Sequence, residues 1–134
     1  MNQKILDKFK NLTKAFEKFS EIVSAEVEDE IIKRDACIQR FEFTIELFWK
    51  FLKLYMIENG EKEINFPREV LQKAYKYNLI NNEEIWLNML TDKNRTSNIY
   101  DEEEIEKIYS NIRNNYYNEM KACYNLLKER VKSD

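Results

Sequence analysis

The sequence contains no histidine at all, one glycine, one proline and two cysteines among 134 residues. Histidine is the side chain that titrates near neutral pH and the commonest metal ligand. Its absence excludes a His-based triad, a zinc protease and a His general base together. Tight turns and close backbone approach to phosphate need glycine, so a single Gly excludes a Gly-rich phosphate loop and argues against sandwiches and barrels. No uncharged apolar run approaches the ~18 residues of a membrane span. The N-terminus, MNQKILDKFKNLTKAF, carries a charge every few residues and has no apolar stretch of the signal-peptide kind. These features predict a cytoplasmic protein without a membrane role. Cys37 and Cys123 are then expected to be reduced, buried structural thiols. Neither charge sign dominates: 22 Lys+Arg against 25 Asp+Glu gives −3. That mild acidity disfavours non-specific coating of nucleic acid, though a local basic patch stays open.

What is present is helical periodicity. Ile5, Phe9, Leu12, Phe16, Phe19 and Val23 recur at helical spacing and predict an amphipathic helix over residues 2–24. The acidic stretch Glu26–Glu30 suits the start of a second helix, where carboxylates meet the positive end of the dipole. That helix is predicted from about residue 28 to 58 and stops at Asn59-Gly60. Two adjoining apolar stripes, one through Cys37, Phe41, Phe48, Phe51 and Tyr55, the other through Ile38, Ile45, Trp49, Leu52 and Met56, make it the central helix. A short helix follows Pro67, with Val70, Leu71, Ala74 and Tyr75 inward and Asn78 as a left-handed stop. Asn82-Glu83-Glu84 opens a fourth helix that frays near Arg95. Asp101-x-x-Glu104 starts the last, whose stripe runs Ile105, Ile108, Ile112, Tyr116, Met120, Cys123, Leu127 and Val131. Three long and two short helices predict a single-domain, all-α, up-and-down antiparallel bundle over residues 1–134.

Two polar stretches stand out. Thr91–Asp101 reads as a polar connection between two helices. Its Thr96, Ser97, Asn98 and Asp101 suit the capping of loose helix ends. The same segment also suits a phosphate or nucleotide site, with charge from Lys93 and Arg95, hydrogen bonds from Ser97 and Asn98, and a stacking face from Tyr100. On helix two, Asp35, Gln39, Glu42 and Glu46 recur at intervals of 4, 3 and 4 and form one polar ribbon. Buried, that ribbon needs cationic partners; exposed, it is a solvated or dimer-facing stripe with pairs such as Glu46–Lys50. A di-iron site is excluded, because it requires Glu-x-x-His on two helices.

Taken together, Arg34-Asp35…Gln39-Arg-Phe-Glu42-Phe-Thr-Ile-Glu46-Leu-Phe-Trp-Lys50, Pro67-Arg-Glu-Val70 and Asp92-Lys-Asn-Arg-Thr-Ser-Asn-Ile-Tyr-Asp101 resemble the nucleotidyltransferase substrate-binding protein family. This is the helical partner of minimal nucleotidyltransferases, within the HEPN superfamily and similar to HepT toxins. The resemblance spans nearly the whole chain. It implies a helical-bundle homodimer and a separate small nucleotidyltransferase subunit, in a heterotetramer. Any ATP or other NTP, with Mg2+, would belong to that partner, with no cofactor or metal in this chain. In toxin relatives the loop reads Arg-x4-His-x-Tyr; the Arg and His act on RNA, and the Tyr can be adenylylated by the partner. The matching positions here are Lys93, Asn98 and Tyr100. Asn98 cannot titrate, and a lysine titrates far above neutrality. Lys93 also lacks the planar fork that grips phosphate at two points.

The expectation is therefore a non-catalytic substrate-binding subunit. Its contacts would come from Lys93, Asn94, Ser97, Asn98 and Tyr100, and from Arg34, Gln39, Glu42 and Glu46 on helix two, with contact to a nucleotide or RNA left open. The alternative is a degenerate HEPN ribonuclease toxin of a toxin–antitoxin pair, neutralised by its partner. A third reading is a homodimer without a nucleotide role, in which Tyr75-Lys-Tyr77 and Asn114-Asn-Tyr-Tyr117 serve interfaces.

Overall fold

A computed structural model describes residues 2–96, 98 and 101–132. Helix α1 spans Gln3–Ser24 and α2 spans Glu30–Glu58. The short α3 covers Pro67–Lys76, and α4 covers Glu83–Thr96. Helix α5, Glu102–Asn111, runs through a π turn at Ile112–Tyr116 directly into α6, Tyr117–Lys132. No strand occurs among the described residues.

Local chemistry sets most of these ends. Asn2 accepts from the Ile5 amide, Asp29 from the Ile31 and Ile32 amides, Asn82 from the Ile85 amide, and Asp101 from the Glu103 amide. Because Asp29 is the cap, helix two begins at Glu30 rather than near residue 28. Pro67 occupies the first turn of α3, where its missing N–H is harmless. Gly60 at φ 102° and Asn78 at φ 62° take the left-handed conformation that stops a helix.

Cross-helix contacts fix the topology. Asn2 reaches Glu58, the Ala15 carbonyl meets Thr44, and the Lys18 carbonyl meets Arg40, so α1 and α2 run antiparallel. Thr13 meets Tyr124 and Ser20 meets Tyr117, so α6 also opposes α1. The α3–α4 pair forms the return leg: Thr96 reaches Glu42, while Trp86 packs edge-on against Phe48 with ring centroids 5.3 Å apart. The result is a four-legged up-and-down bundle. The predicted apolar stripes form its core, with Leu12, Phe19, Phe41, Ile45, Phe48, Leu52, Trp86, Met89, Ile112 and Leu127 fully enclosed. Cys37 and Cys123 are free, buried thiols.

Three sequence readings need correction. The fourth helix, expected to fray near Arg95, holds through Thr96, so the polar Thr91–Asp101 connection is helical over its first six residues. Tyr75, expected inward on α3, is 46% exposed, as is its neighbour Tyr77 at 45%. The Asn114–Tyr117 stretch is not an interface of exposed tyrosines. Tyr116 lies in the core and stacks on Phe41, and Tyr117 is half-buried and stacks on Phe16.

The π turn follows from the apolar spacing. Ile108, Ile112, Tyr116 and Met120 recur at three successive intervals of four, more than 3.6 residues per turn allows on one line. One widened turn brings all four onto the core side.

Candidate functional site

The central feature is a polar cluster where the C-terminal end of α4 crosses the middle of α2. Glu42 and Glu46, one turn apart on α2, face Lys93 and Thr96, which lie three apart on α4. The Lys93 ammonium forms an ion pair with Glu46 Oε1. That same oxygen accepts from Trp49 Nε1 at 3.1 Å, and Oε2 meets Lys50 at 3.3 Å. Thr96 Oγ1 stands 2.7 Å from Glu42 Oε2 and 2.8 Å from the Lys93 carbonyl. A hydroxyl has one proton, so the charged acceptor Glu42 competes with the backbone for it.

Lys93 and Glu46 are both largely shielded, with side chains 27% and 30% exposed. Partial burial pushes the Glu46 carboxyl up. The Lys93 and Trp49 hydrogen bonds, with the Lys93 charge, outweigh burial and hold the carboxyl below its ordinary range. At neutral pH this is a carboxylate already committed to a cation. It is suited to positioning and poorly suited to taking a proton.

The end of α4 is pinned from two further sides. Asp92, 8% exposed, accepts from the Tyr116 hydroxyl on the π turn at 2.5 Å. Arg95 donates to Glu104 on α5 at 2.7 Å. The Asn98 amide then closes a turn onto the Arg95 carbonyl at 3.0 Å, and its side chain is exposed. Asn94 is exposed as well. Ser97 and Tyr100, two of the residues predicted for the site, lie outside the described residues.

The helix-two ribbon divides three ways. Glu42 and Glu46 join Lys93 and Thr96, as above. Gln39 turns to the groove between α1 and α2. Asp35 stays with Arg34, a buried residue whose guanidinium binds Asp35, Glu102 and Glu106 at 3.1, 2.6 and 3.0 Å. Hydrogen bonding to Glu102 and Glu106 outweighs burial and raises the Arg34 pKa, so this cation is permanent. Twelve residues of helix separate Arg34 from Glu46, about 18 Å at 1.5 Å per residue. The structure therefore does not bring Arg34 or Gln39 together with Lys93.

Sequence reasoning missed Asp92, Tyr116 and the Thr96 bridge to Glu42. Asp92 opens the quoted loop motif, yet nothing local marks a buried carboxylate. The run of four-residue intervals around Tyr116 was the available signal for the π turn. Among the described residues, no group of three or more His, Cys, Asp or Glu side chains is placed to hold a metal ion. No helix there is long and apolar enough to cross a membrane.

Comparison with known proteins adds two findings. The family described as "nucleotidyltransferase substrate binding protein like" matches residues 7–129. A crystal structure of a protein from Thermus thermophilus is 30% identical and superposes with a TM-score of 0.77. The match covers 87% of this chain and 98% of that one. No curated protein matches this chain.

Proposed function

This chain belongs to the nucleotidyltransferase substrate-binding-protein-like family, and from that premise we propose that it is the non-catalytic binding subunit of a two-component nucleotidyltransferase. The partner subunit holds NTP and Mg2+ and carries the reactive centre. This chain supplies shape and contacts, as a cytoplasmic homodimer docked to two partner subunits. The docking face is the end of α4 with its support on α2: Lys93, Asn94 and Asn98, braced by Glu42 and Glu46; Ser97 and Tyr100 are assigned to it from the sequence motif alone.

One observation carries this reading. The Lys93 ammonium, at the position where toxin relatives carry the arginine that acts on RNA, is bound to the Glu46 carboxylate. Cleaving RNA without metal requires a proton to move at a 2′-hydroxyl or a leaving oxygen, through a group that titrates near neutral pH. Lys93 is engaged in an ion pair with Glu46, which it holds ionised. Asn98 carries no titratable proton. The cluster is built to hold a surface in one geometry.

Mixing the purified chain with its nucleotidyltransferase at micromolar concentration tests the proposal. A stable complex that Lys93→Glu weakens is the expected outcome. No complex, or cleavage of transfer RNA by the isolated chain that Lys93→Ala abolishes, would overturn it. With ATP and Mg2+ added, mass spectrometry at Tyr100 shows whether the partner adenylylates this subunit.

A further inference from the structure

A groove of about 530 Å³ runs between α1 and α2, lined by Lys14, Ala15 and Lys18 on one side and Gln39, Arg40 and Phe43 on the other. Its existence follows from packing. Ala15 is small and 5% exposed, and its carbonyl lies 3.4 Å from the hydroxyl of the fully buried Thr44. The helices therefore approach closely beneath, and the long side chains flanking Ala15 stand up as walls.

The walls are cationic. Arg40 donates from Nη1 to the Lys18 carbonyl at 2.8 Å, which holds its guanidinium at the rim with further N–H groups to offer. Among the described residues no carboxylate lines the groove, and none of Lys14, Lys18 or Arg40 forms an ion pair. In a chain with three more acids than bases, this is a local excess of three positive charges. Lys14 and Lys18 also sit one turn apart, an arrangement that repels unless an anion lies between them. Beside them Phe43 is 63% exposed, and its ring stacks on no other ring among the described residues.

We infer that this groove binds a mononucleotide. Lys14, Lys18 and Arg40 take the phosphates, Phe43 stacks on the base, and the Gln39 amide faces a base edge. The volume falls within the 300–1,000 Å³ or so of small-ligand pockets. A second copy of the chain is a poor occupant, because a two-fold contact centred here would set three cations against the same three. A long polyanion is disfavoured by the net charge of −3. The site is distinct from the Lys93 cluster and does not depend on docking, since the isolated chain contains all of it.

Calorimetric titration of the isolated chain with ATP, inorganic tripolyphosphate and a twelve-nucleotide oligoadenylate tests the inference. ATP should bind, and the double substitution Lys14→Glu, Lys18→Glu should weaken ATP and tripolyphosphate at least about tenfold through reversal of the local charge. Phe43→Ala should weaken ATP by about five- to 150-fold, the range of one base stack, and leave tripolyphosphate unchanged. Lys93→Ala should change neither, which separates this site from the docking face. All substituted side chains are exposed or half-buried, and unchanged circular dichroism would confirm folding. Absence of ATP binding at millimolar concentration overturns the inference. So does ATP binding indifferent to these substitutions, oligoadenylate binding far tighter than ATP, or groove variants that alter only the oligomeric state.

Discussion

The hydroxyl of Tyr116 donates to Oδ2 of Asp92 at 2.5 Å, deep between the π turn and the end of α4. Asp92 immediately precedes Lys93, so a bond inside the core sets where the half-buried cluster stands. Tyr116 is 3% exposed, and burial together with the Asp92 bond raises its pKa well above the ordinary phenol value. The hydroxyl therefore remains a donor throughout the physiological range. The π turn widens the last helix where this bond forms, as π turns often do near functional sites.

Removing the donor should be costly. Tyr116→Phe leaves the Asp92 carboxylate buried without this bond, and the lost stability should be about 1–3 kcal/mol. Urea unfolding measures it. Adding Asp92→Leu to Tyr116→Phe should recover part of the loss, because both polar partners are then gone. A double mutant less stable than the sum of the singles would contradict this account.

Alkaline pH should unfold the protein by a specific route. Burial raises the thiols of Cys37 and Cys123 and the phenol of Tyr109; burial and then the Asp92 bond raise Tyr116. Each group is neutral when protonated, and its folded pKa lies above its unfolded one. The associated stability is complete below the unfolded values, about 8.5 for Cys and 10 for Tyr, and is lost as pH rises toward the folded values. Urea midpoints should thus hold steady to about pH 8 and then decline. Cys123→Ala should flatten the first part of the decline.

The Glu46 carboxyl behaves in the opposite sense. Its folded pKa lies below the ordinary carboxyl value, so its contribution is present above that value and is lost as pH falls through the depressed one. Lys93→Met removes the main force holding it down, and NMR titration of Glu46 should then show a higher pKa. The fold should lose no more than about 1 kcal/mol, because the pair remains partly solvated. Weak effect on stability with strong effect on partner binding is the combination expected of a docking face.

Asn78 stops α3 with φ 62°. Asn78→Ala should destabilise the bundle by about 1 kcal/mol, the strain of a Cβ in the left-handed region. Asn78→Gly should be neutral or slightly stabilising at the same position. Thermal unfolding of the pair of variants separates backbone strain from loss of a side-chain contact.

Family membership and the helical scaffold were legible from residue order because both are carried by local pattern. The apolar stripes through Phe41, Phe48 and Phe51 and through Ile108, Ile112 and Met120 are the stripes that form the core. The stops at Gly60 and Asn78 are where glycine and asparagine permit a left-handed residue. The Thr91–Thr96 segment read both as the fraying end of the fourth helix and as the start of a polar connection, because its side chains suit either; the helix holds through Thr96. It stays helical because Asp92 and Thr96 find partners on other helices, Tyr116 and Glu42. The ribbon of Asp35, Gln39, Glu42 and Glu46 looked like one site for a similar reason. Helical spacing places them on one face but does not say which neighbour each will meet.

Periodicity, caps and the missing histidine are properties of short stretches of chain, so the sequence alone determined an all-helical scaffold without the common proton-transfer side chain. The pairing of Lys93 with Glu46, the buried Tyr116–Asp92 bond, the isolation of Arg34 with Glu102 and Glu106, and the cationic groove between α1 and α2 were decided by tertiary structure. Each joins residues from different helices. Their meeting depends on the rotation and offset of packed helices, which the whole core sets at once.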